Sequence, residues 1–346
     1  MARLLIHATN IHQGGGAVLL VELLRAIPFG LETIAAVDSR LVLPDDILTH
    51  IFIERVNPTL YGRLSAELSL ARKAKTEDWV LCFGNLPPLL SVNGEISVFL
   101  QNRYLVDRLS SSSALPIKVR LRVLIEWVWL GLFRNRAERY FVQTYSMKRL
   151  TEERLGVQTI CAPFVPESVM YPDVPLPCKS VQFDFLYVAS GEAHKNHKAL
   201  ISAWAILAAD GLYPSLALTL ASEDAPELVA FIVAECESKR VHIHNLGKLP
   251  HDRLLEIYRQ SGALIYPSSF ESFGLPLIEA RSAGLAVLAS ELDYVRDITD
   301  PEETFDSRSP LSIARAVKRF MKRRDKTFEP LAIGRFLDQI TRRPVT

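Results

Sequence analysis

The segment from Tyr266 to Ala289, YPSSFESFGLPLIEARSAGLAVLA, carries the residues best suited to chemistry. A predicted strand ends at Pro267, a polar loop with Glu271 follows, and Gly274 precedes a predicted helix. Pro276 falls in the first turn of that helix, a position that proline favours. Because the first N–H groups of a helix have no partner within it, the backbone around Gly274 is suited to binding an anion.

Two carboxylates lie on either side of this helix start. Glu271 lies just outside the helix, and Glu279 lies one turn inside it, with seven residues between them. Carboxylates only accept hydrogen bonds, which suits them to holding the hydroxyl groups of a ligand. Alternatively, Glu279 merely interacts with the helix dipole and Glu271 is a solvated loop acid. The spacing alone leaves both interpretations open.

The pattern of two glutamates around F-G-L-P resembles the signature of the retaining glycosyltransferases of family 4. The resemblance is strong from about residue 185 to 305, and it includes the run LYVASGEAHKNHKALISAWAIL. It is looser in HQGGGAVLLVELL, SVFLQN and RYFVQTYSMKRLTEERLG. It implies the GT-B architecture, in which two Rossmann-like domains face each other across a cleft that binds a nucleotide-sugar.

The resemblance assigns roles within the donor site. Glu271 would hold hydroxyls of the donor sugar, Glu279 would accept hydrogen bonds from the ribose, and Lys195 would contact the diphosphate. A fixed cation there stabilises the negative charge that grows on the leaving group. We therefore predict Glu271 and Lys195 as catalytic residues. The other predicted donor-binding residues are Glu279, Phe273, Gly274, Leu275, Ser190, His194, Gly15 and Gly16.

One position departs from the family pattern. Ser190 stands where many members have an arginine after the strand FLYVAS. Neutralisation of the phosphates would then depend more on Lys195, on helix N-termini or on His194. The role of His194 is left open by the sequence.

A run of glycines, Gly14 to Gly16, follows the predicted strand LLIHA. Glycines let the backbone approach a diphosphate or a sugar closely, although a plain strand-to-helix turn is the alternative. The run also imitates an NAD-binding fingerprint, with Asp38 22 residues beyond Gly16. Leu19 occupies the third glycine position and the loop is too long, so we do not favour an NAD-dependent oxidoreductase.

Polar residues also follow the predicted strand ISVFL, at a place where family members often line the sugar or acceptor site. Gln101, Asn102 and Arg103 stand there, and His12 stands in the first loop. Each of the four could be an ordinary loop residue. We assign them to the acceptor or sugar site as weaker candidates.

Alternating apolar runs and helical segments must position these residues. This alternation predicts an α/β fold with two doubly wound parallel sheets. Five prolines between Pro163 and Pro177 mark an interdomain linker, because neither helix nor central strand tolerates that density. We predict an acceptor-side domain at 1–162, a linker at 163–180 and a nucleotide-sugar domain at 181–325. The remainder, 326–346, is predicted as a tail that crosses back to the first domain.

Composition excludes several classes of protein. The 346 residues carry 40 Lys plus Arg and 39 Asp plus Glu, which argues against a nucleic-acid partner. The four cysteines lack zinc-site spacing, which favours a reduced, cytoplasmic protein. No D-x-D pair occurs, so we expect no metal ion and no cofactor besides the donor. No signal peptide is expected, and the longest apolar run is too short to span a bilayer.

Basic residues concentrate between Gln101 and Leu150, with ten Lys or Arg against three Asp or Glu. Within this stretch, residues 117–139 place basic ends around an aromatic centre. That arrangement predicts docking on an anionic membrane surface, on the inner face of the plasma membrane. The alternative is a core helix whose tryptophans pack against the sheet.

The sequence as a whole predicts a retaining hexosyltransferase. It would move a sugar from a nucleotide-sugar to a glycan or lipid-linked acceptor in cell-surface polysaccharide biosynthesis. The resemblance implies front-face displacement, in which the departing phosphate takes the acceptor proton. The alternative function is a weakly catalytic or non-catalytic sugar-binding subunit of a polysaccharide assembly complex.

Overall fold

The structure is a computed structural model that describes residues 2–47, 51–107, 116–166, 169 and 181–323. The described residues form two parallel sheets, one of seven strands and one of six. The strands of the first sheet are β1 Leu4–Ala8, β2 Thr33–Asp38, β3 Phe52–Val56, β4 Trp79–Cys82, β5 Glu95–Phe99, β6 Arg139–Val142 and β7 Thr159–Cys161. Those of the second sheet are β8 Phe183–Tyr187, β9 Leu216–Leu218, β10 Ile243–Asn245, β11 Ser261–Tyr266, β12 Ala286–Ser290 and β13 Glu303–Phe305.

Helices cover both sheets. The first domain has α1 Gly14–Arg25, α2 Leu60–Lys73, α3 Ile117–Phe133 and α4 Tyr145–Leu155. The second has α5 His197–Ala209, α6 Pro226–Lys239, α7 His251–Arg259, α8 Leu275–Ser282, α9 Asp293–Arg296 and α10 Pro310–Phe320. Short 3-10 turns lie at Arg103–Leu105, Arg134–Arg136 and Ala193–Lys195. Parallel sheets need such cover, and their strands therefore read as nearly continuous apolar runs.

The order of strands reverses once in each sheet. The first sheet runs β3-β2-β1-β4-β5-β6-β7, and the second runs β10-β9-β8-β11-β12-β13. The reversal falls between β1 and β4 in the first sheet and between β8 and β11 in the second. Loops that leave the two strands at such a point diverge and open a crevice at the carboxyl ends. The loops after these four strands are therefore the expected place for a ligand.

Three apolar clusters hold the layers together. In the first domain, α1 packs on one face of the sheet through Leu20 and Leu24, and α2 to α4 pack on the other face. In the second domain a single cluster surrounds Trp204, whose ring lies edge-on to Phe185 at 5.5 Å. The indole N–H of Trp204 donates to the carbonyl of Pro214 at 2.8 Å, so its buried polar atom is satisfied.

The two domains touch where α4 begins. The backbone N–H of Ser146 donates to Oδ2 of Asp297 at 2.7 Å, which places a carboxylate at the positive end of α4. Arg149 forms an exposed ion pair with Asp293 at 2.8 Å, and the hydroxyl of Thr144 donates to the carbonyl of Ser272 at 3.2 Å. These contacts join the domains on one side of the crevice.

The fold class predicted from the sequence is confirmed. Three strands were missed, β3, β7 and β13, because β3 reads FIERV with charged residues and the other two have only three residues each. The first sheet ends at Cys161 and the second begins at Phe183. Of the predicted linker 163–180, only 163–166 and 169 lie among the described residues, and the predicted tail 326–346 lies outside them.

Candidate active site

Glu271 lies in the loop after β11, and one of its carboxylate oxygens is held by three donors. Oε1 accepts from Nζ of Lys195 at 2.5 Å, from the hydroxyl of Ser268 at 2.7 Å and from the hydroxyl of Tyr266 at 3.1 Å. The other oxygen, Oε2, receives no hydrogen bond from a described residue. The interpretation of Glu271 as a solvated loop acid is therefore wrong: its side chain is 13% exposed and its carboxylate is held in one orientation.

Lys195 reaches Glu271 from the loop after β8. The hydroxyl of Tyr187 donates to the carbonyl of Lys195 at 2.5 Å. The next residue, Asn196, has a left-handed backbone, with φ at 62°, and its side-chain amide donates to the carbonyls of Pro267 and Ser307. The ammonium group is thus presented from a fixed turn, with a side chain only 16% exposed.

Glu279 is buried inside α8. Its Oε2 accepts from the hydroxyl of Tyr258 at 2.8 Å, and both residues are almost wholly excluded from solvent. Burial raises the pKa of Glu279, while the Tyr258 hydrogen bond and the nearby His251 oppose that rise. A carboxylate in this place is costly unless it has a role or a further partner.

Gly274 begins α8 with a left-handed backbone, φ at 83°. A Cβ atom there would lie 3.1 Å from Cδ1 of Leu277, so a side chain would be both strained and crowded. No side chain of the described residues caps α8, which leaves the first N–H groups, beginning at Leu275, facing the crevice end of the helix. Phe273, just before, is buried.

Ser190 and His194 lie in the same loop as Lys195. The hydroxyl of Ser190 donates to the carboxylate of Glu192. Burial lowers the pKa of His194 more than the nearby Glu271 raises it. Lys195 is the cation that this loop offers.

In the first domain the glycine run faces Gln101. A Cβ atom on Gly16 would lie 3.1 Å from Oε1 of Gln101, so glycine at this position lets the two residues approach closely. Gly14 is left-handed, with φ at 70°, whereas a Cβ atom on Gly15 would meet no atom within 4 Å. The glycine run therefore brings the N-terminus of α1 against the loop after β5.

Two asparagines missed in the sequence shape this part of the crevice. Asn85 is left-handed, and its Oδ1 accepts from the backbone N–H of Gln101 at 2.6 Å and of Asn102 at 2.8 Å. The amide of Asn10 donates to the carbonyl of Gly84 at 2.9 Å, and its buried Oδ1 has no partner among the described residues. Both asparagines follow strands at the reversal point, and that position was the signal available in the sequence.

His12 lies apart from these contacts, in a cavity of about 490 Å³ between the two domains. The helix α1 contributes Gly14, Ala17 and Val18 to one wall of the cavity, and the second domain contributes Lys248 and His251 to the opposite wall. This volume is in the range of small-molecule sites in proteins. His251 also interacts electrostatically with Glu279, the residue that the resemblance assigns to the ribose.

Comparison with solved structures defines the class of the fold. Sucrose-phosphate synthase from Thermosynechococcus elongatus aligns with a TM-score of 0.68 at 16% identity, covering 93% of this chain and 90% of that one. Anabaena Alr3699/HepE, solved in complex with UDP and glucose, aligns at 0.66 and 13% identity, covering 93% and 90%. A glycosyltransferase from Rickettsia africae aligns at 0.66 and 14%, covering 93% and 88%. The chain has the GT-B fold.

Residues 176–330 match the family described as glycosyl transferases group 1. O-antigen chain mannosyltransferase B of Escherichia coli is 26% identical over 113 residues, which are 33% of this chain and 30% of that protein. Serotype-specific mannosyltransferase WbdA of Escherichia coli is 32% identical over 121 residues, 34% of this chain and 15% of that protein. The chain thus spans less than a third of the length of these curated relatives.

Proposed function

We propose that the protein transfers a sugar, with retention of anomeric configuration, from a nucleotide-sugar to a glycan or lipid-linked acceptor. The observation that carries this proposal is the pairing of Lys195 with Glu271, with Oε2 of the carboxylate left for a ligand. The pair lies at the carboxyl ends of β8 and β11, where a ligand of this fold is expected. The matches to group 1 glycosyltransferases and to a fold solved with UDP and glucose support the same conclusion.

Each residue has a part in the proposed reaction. Oε2 of Glu271 accepts from sugar hydroxyls, Glu279 accepts from the ribose, and Lys195 with the N–H groups near Leu275 binds the diphosphate. The bond from the sugar to the phosphate breaks while the acceptor oxygen bonds to the same face of the anomeric carbon. The departing phosphate takes the acceptor proton, and Lys195 stabilises the charge that remains on it.

We propose no metal ion in this reaction. The charge on the leaving diphosphate is met by Lys195 and backbone N–H groups, and the sequence has no D-x-D pair to clamp a divalent cation. We take mannose as the first sugar to test, because the relatives named above are mannosyltransferases. Cell-surface polysaccharide biosynthesis is the corresponding setting.

The test begins with a thermal-shift screen of UDP-glucose, GDP-mannose, ADP-glucose and dTDP-glucose. A ligand at 100 times its dissociation constant stabilises the folded protein by about 2.7 kcal/mol. The stabilising donor is then assayed for hydrolysis and for transfer, with the anomer of the product determined by NMR. Binding without turnover would favour the sugar-binding subunit, and an inverted product would contradict retention.

We also propose that α3 docks on an anionic membrane surface. Its exposed side carries an aliphatic stripe, and exposed basic residues lie beside it. The stripe consists of Ile117, Leu121, Leu124, Ile125, Val128 and Leu132, and the basic residues are Lys118, Arg120, Arg122 and Arg134. Their spacing puts all six aliphatic residues on one side of the helix. Each basic residue near such a surface contributes about 1 kcal/mol.

The aromatic side chains of α3 contact other parts of the protein. The indole of Trp129 donates to the carbonyl of Pro87 at 2.9 Å. The rings of Trp127 and Phe133 lie under the guanidinium groups of Arg154 and Arg136, at 4.2 Å and 4.3 Å. The exposed apolar side chains of α3 are therefore mainly aliphatic, and Trp127 is 38% exposed. Among the described residues, no helix has the length and apolar character needed to cross a bilayer.

Cosedimentation with vesicles tests this docking. Phosphatidylcholine vesicles with 30% phosphatidylglycerol, roughly physiological in charge, should bind the protein at low salt and release it at high salt. Replacing Lys118, Arg120 and Arg122 together by Gln should weaken binding. The control replaces Lys239, Arg253 and Arg308, an equal charge on the exposed surface of the second domain. Equal binding to neutral vesicles, or equal loss in the control, would contradict the proposal.

A further inference from the structure

We propose that Arg103 is a positioning residue that fixes the Glu271 loop from the opposite domain. Nη1 of Arg103 donates to the backbone carbonyl of Glu271 at 3.2 Å, across 168 positions in the sequence. The inference rests on the proposed function, since it concerns the carboxylate that would hold the donor sugar. It makes the correct placement of that carboxylate depend on closure of the two domains.

The guanidinium group is oriented by its own domain before it reaches the loop. Nε of Arg103 donates to Oδ2 of Asp107 at 2.9 Å, and the side chain is only 17% exposed. The 3-10 turn that carries it is capped by Asn102, whose side-chain oxygen accepts from the backbone N–H of Tyr104 at 3.1 Å. The capped turn fixes the backbone of Arg103 and Asp107 fixes its Nε. The side chain therefore loses little further conformational freedom when it bonds to the Glu271 loop.

Aromatic contacts seat the same turn against the second domain. The ring of Tyr104 packs on Phe270 at 4.4 Å, and the guanidinium carbon of Arg103 lies 5.0 Å from the centre of the Phe270 ring. His194 is edge-on to both rings, at 6.3 Å from each. The turn of the first domain therefore contacts both loops of the second, the one that bears Glu271 and the one that bears Lys195.

In this arrangement both domains fix the position of Glu271. The second domain holds its carboxylate through Tyr266, Ser268 and Lys195, and the first domain holds its backbone carbonyl through Arg103. A misplacement of about 1 Å in such a site can lower a rate by two orders of magnitude. Loss of Arg103 should therefore affect the sugar part of the donor and the chemical step, and leave nucleotide binding unchanged.

Another arginine provides a matched control. Arg149 also crosses between the domains, but its ion pair with Asp293 is exposed, at 60% and 64%, and touches neither loop. If Arg103 only helped to hold the domains together, Arg103→Gln and Arg149→Gln would behave alike. Arg103→Lys provides a second comparison. Lysine keeps the positive charge but lacks the planar set of N–H groups with which the guanidinium donates to Asp107 and Glu271 at the same time.

The first experiment measures binding and turnover. Calorimetry gives the dissociation constants of the stabilising nucleotide-sugar and of its nucleoside diphosphate, and kcat and KM are measured in parallel. In Arg103→Gln we expect kcat at least tenfold lower and nucleoside diphosphate affinity within twofold of wild type. The extra affinity contributed by the sugar should be lost. Arg149→Gln should match wild type, and Arg103→Lys should not restore kcat.

Wild-type kcat in Arg103→Gln, full rescue by Arg103→Lys, or the same loss in Arg149→Gln would overturn the inference. A second measurement does not need turnover: hydrogen–deuterium exchange of residues 267–274 should accelerate in Arg103→Gln and not in Arg149→Gln. Unchanged exchange in both variants would show that Arg103 does not fix the Glu271 loop, and would overturn the inference. Failure of wild type to bind or turn over any nucleotide-sugar, with the exchange difference present, would instead overturn only the proposed function.

Discussion

Nζ of Lys195 lies 2.5 Å from Oε1 of Glu271, and the two residues are separated by 76 positions in the sequence. Both side chains are mostly buried, at 16% and 13% exposure. Breaking such a pair by removing one partner leaves the other charge unpaired in a poorly solvated place. The pair is thus a structural unit as well as the proposed contact to the donor.

We expect Lys195→Met and Glu271→Gln each to lower kcat/KM by at least roughly tenfold, which is about 1.4 kcal/mol of transition-state stabilisation. Because the two residues act as a unit, the double variant should lose much less than the product of the single losses. Steady-state kinetics of the four proteins measures this coupling. The surface variant Glu291→Gln is the control, and additive losses would contradict the coupling.

Tyr258→Phe should weaken nucleotide binding through Glu279. The change removes the hydroxyl that donates to Oε2 of Glu279, and that hydrogen bond opposes the rise in the pKa of the buried carboxyl. The pKa should therefore rise further, and the carboxylate needed by the ribose should be lost at a higher pH. We expect the acidic limb of kcat/KM to move to higher pH. Affinity for the nucleoside diphosphate should be about fivefold weaker at pH 7, which is about 1 kcal/mol and within the range of a typical intramolecular hydrogen bond. Tyr213→Phe, on the exposed surface, should leave the profile unchanged.

His197→Leu should stabilise the protein, most strongly in mild acid. His197 is buried against Tyr187, and neither ring nitrogen has a partner among the described residues. Burial lowers the pKa of His197 to about 4, whereas an unfolded histidine titrates near 6.5. Between these values the unfolded chain binds more protons, so stability falls as the pH falls.

The wild type should lose about 2 kcal/mol of unfolding free energy through His197 between pH 7 and pH 5. Urea unfolding at the two pH values measures the loss, and His197→Leu should remove that part of it. The exposed His242→Leu is the control. An equal pH dependence in wild type and His197→Leu would show that the buried imidazole does not control acid stability.

Activity should survive chelation. If Lys195 and the N–H groups at the start of α8 carry the charge of the leaving diphosphate, excess EDTA should leave kcat within about twofold of its value in buffer, because no transition-state interaction is removed. The assay uses protein dialysed against EDTA, with EDTA-free buffer as the control. A complete loss restored by magnesium or manganese would contradict metal-independent transfer.

The sequence predicted a strand or a helix well where the spacing of its apolar residues and the length of the segment indicated the same kind of element. β1 was predicted as LLIHA, and the structure has it with those bounds. β3 was missed because only one of its five residues, FIERV, is buried and two are charged, so it lacks the apolar signal of a buried strand. Edge strands of this kind are specified by their pairing with β2, which a local pattern does not encode.

The residues of the candidate site were likewise predicted only in part. Glu271, Glu279 and Lys195 were identified from the motif and from the family resemblance. Their partners, Tyr266 and Tyr258, were not identified, because a tyrosine in an apolar strand or helix reads as core whether or not its hydroxyl reaches a carboxylate. The contact of Arg103 with Glu271 depends on how the two domains meet. That distance cannot be read from the spacing of residues in the sequence.

The aliphatic stripe on α3 should also affect the self-association of the purified protein in solution. Away from a lipid surface, Leu124 and Leu132 remain in water, and the neighbouring α2 adds Leu60 and Tyr61 to the exposed apolar area. Contiguous apolar patches of this kind drive association in concentrated solution. An apparent dimer on a sizing column would therefore reflect two copies covering each other's stripe, and a mild detergent that coats the stripe should return the elution to that of one chain.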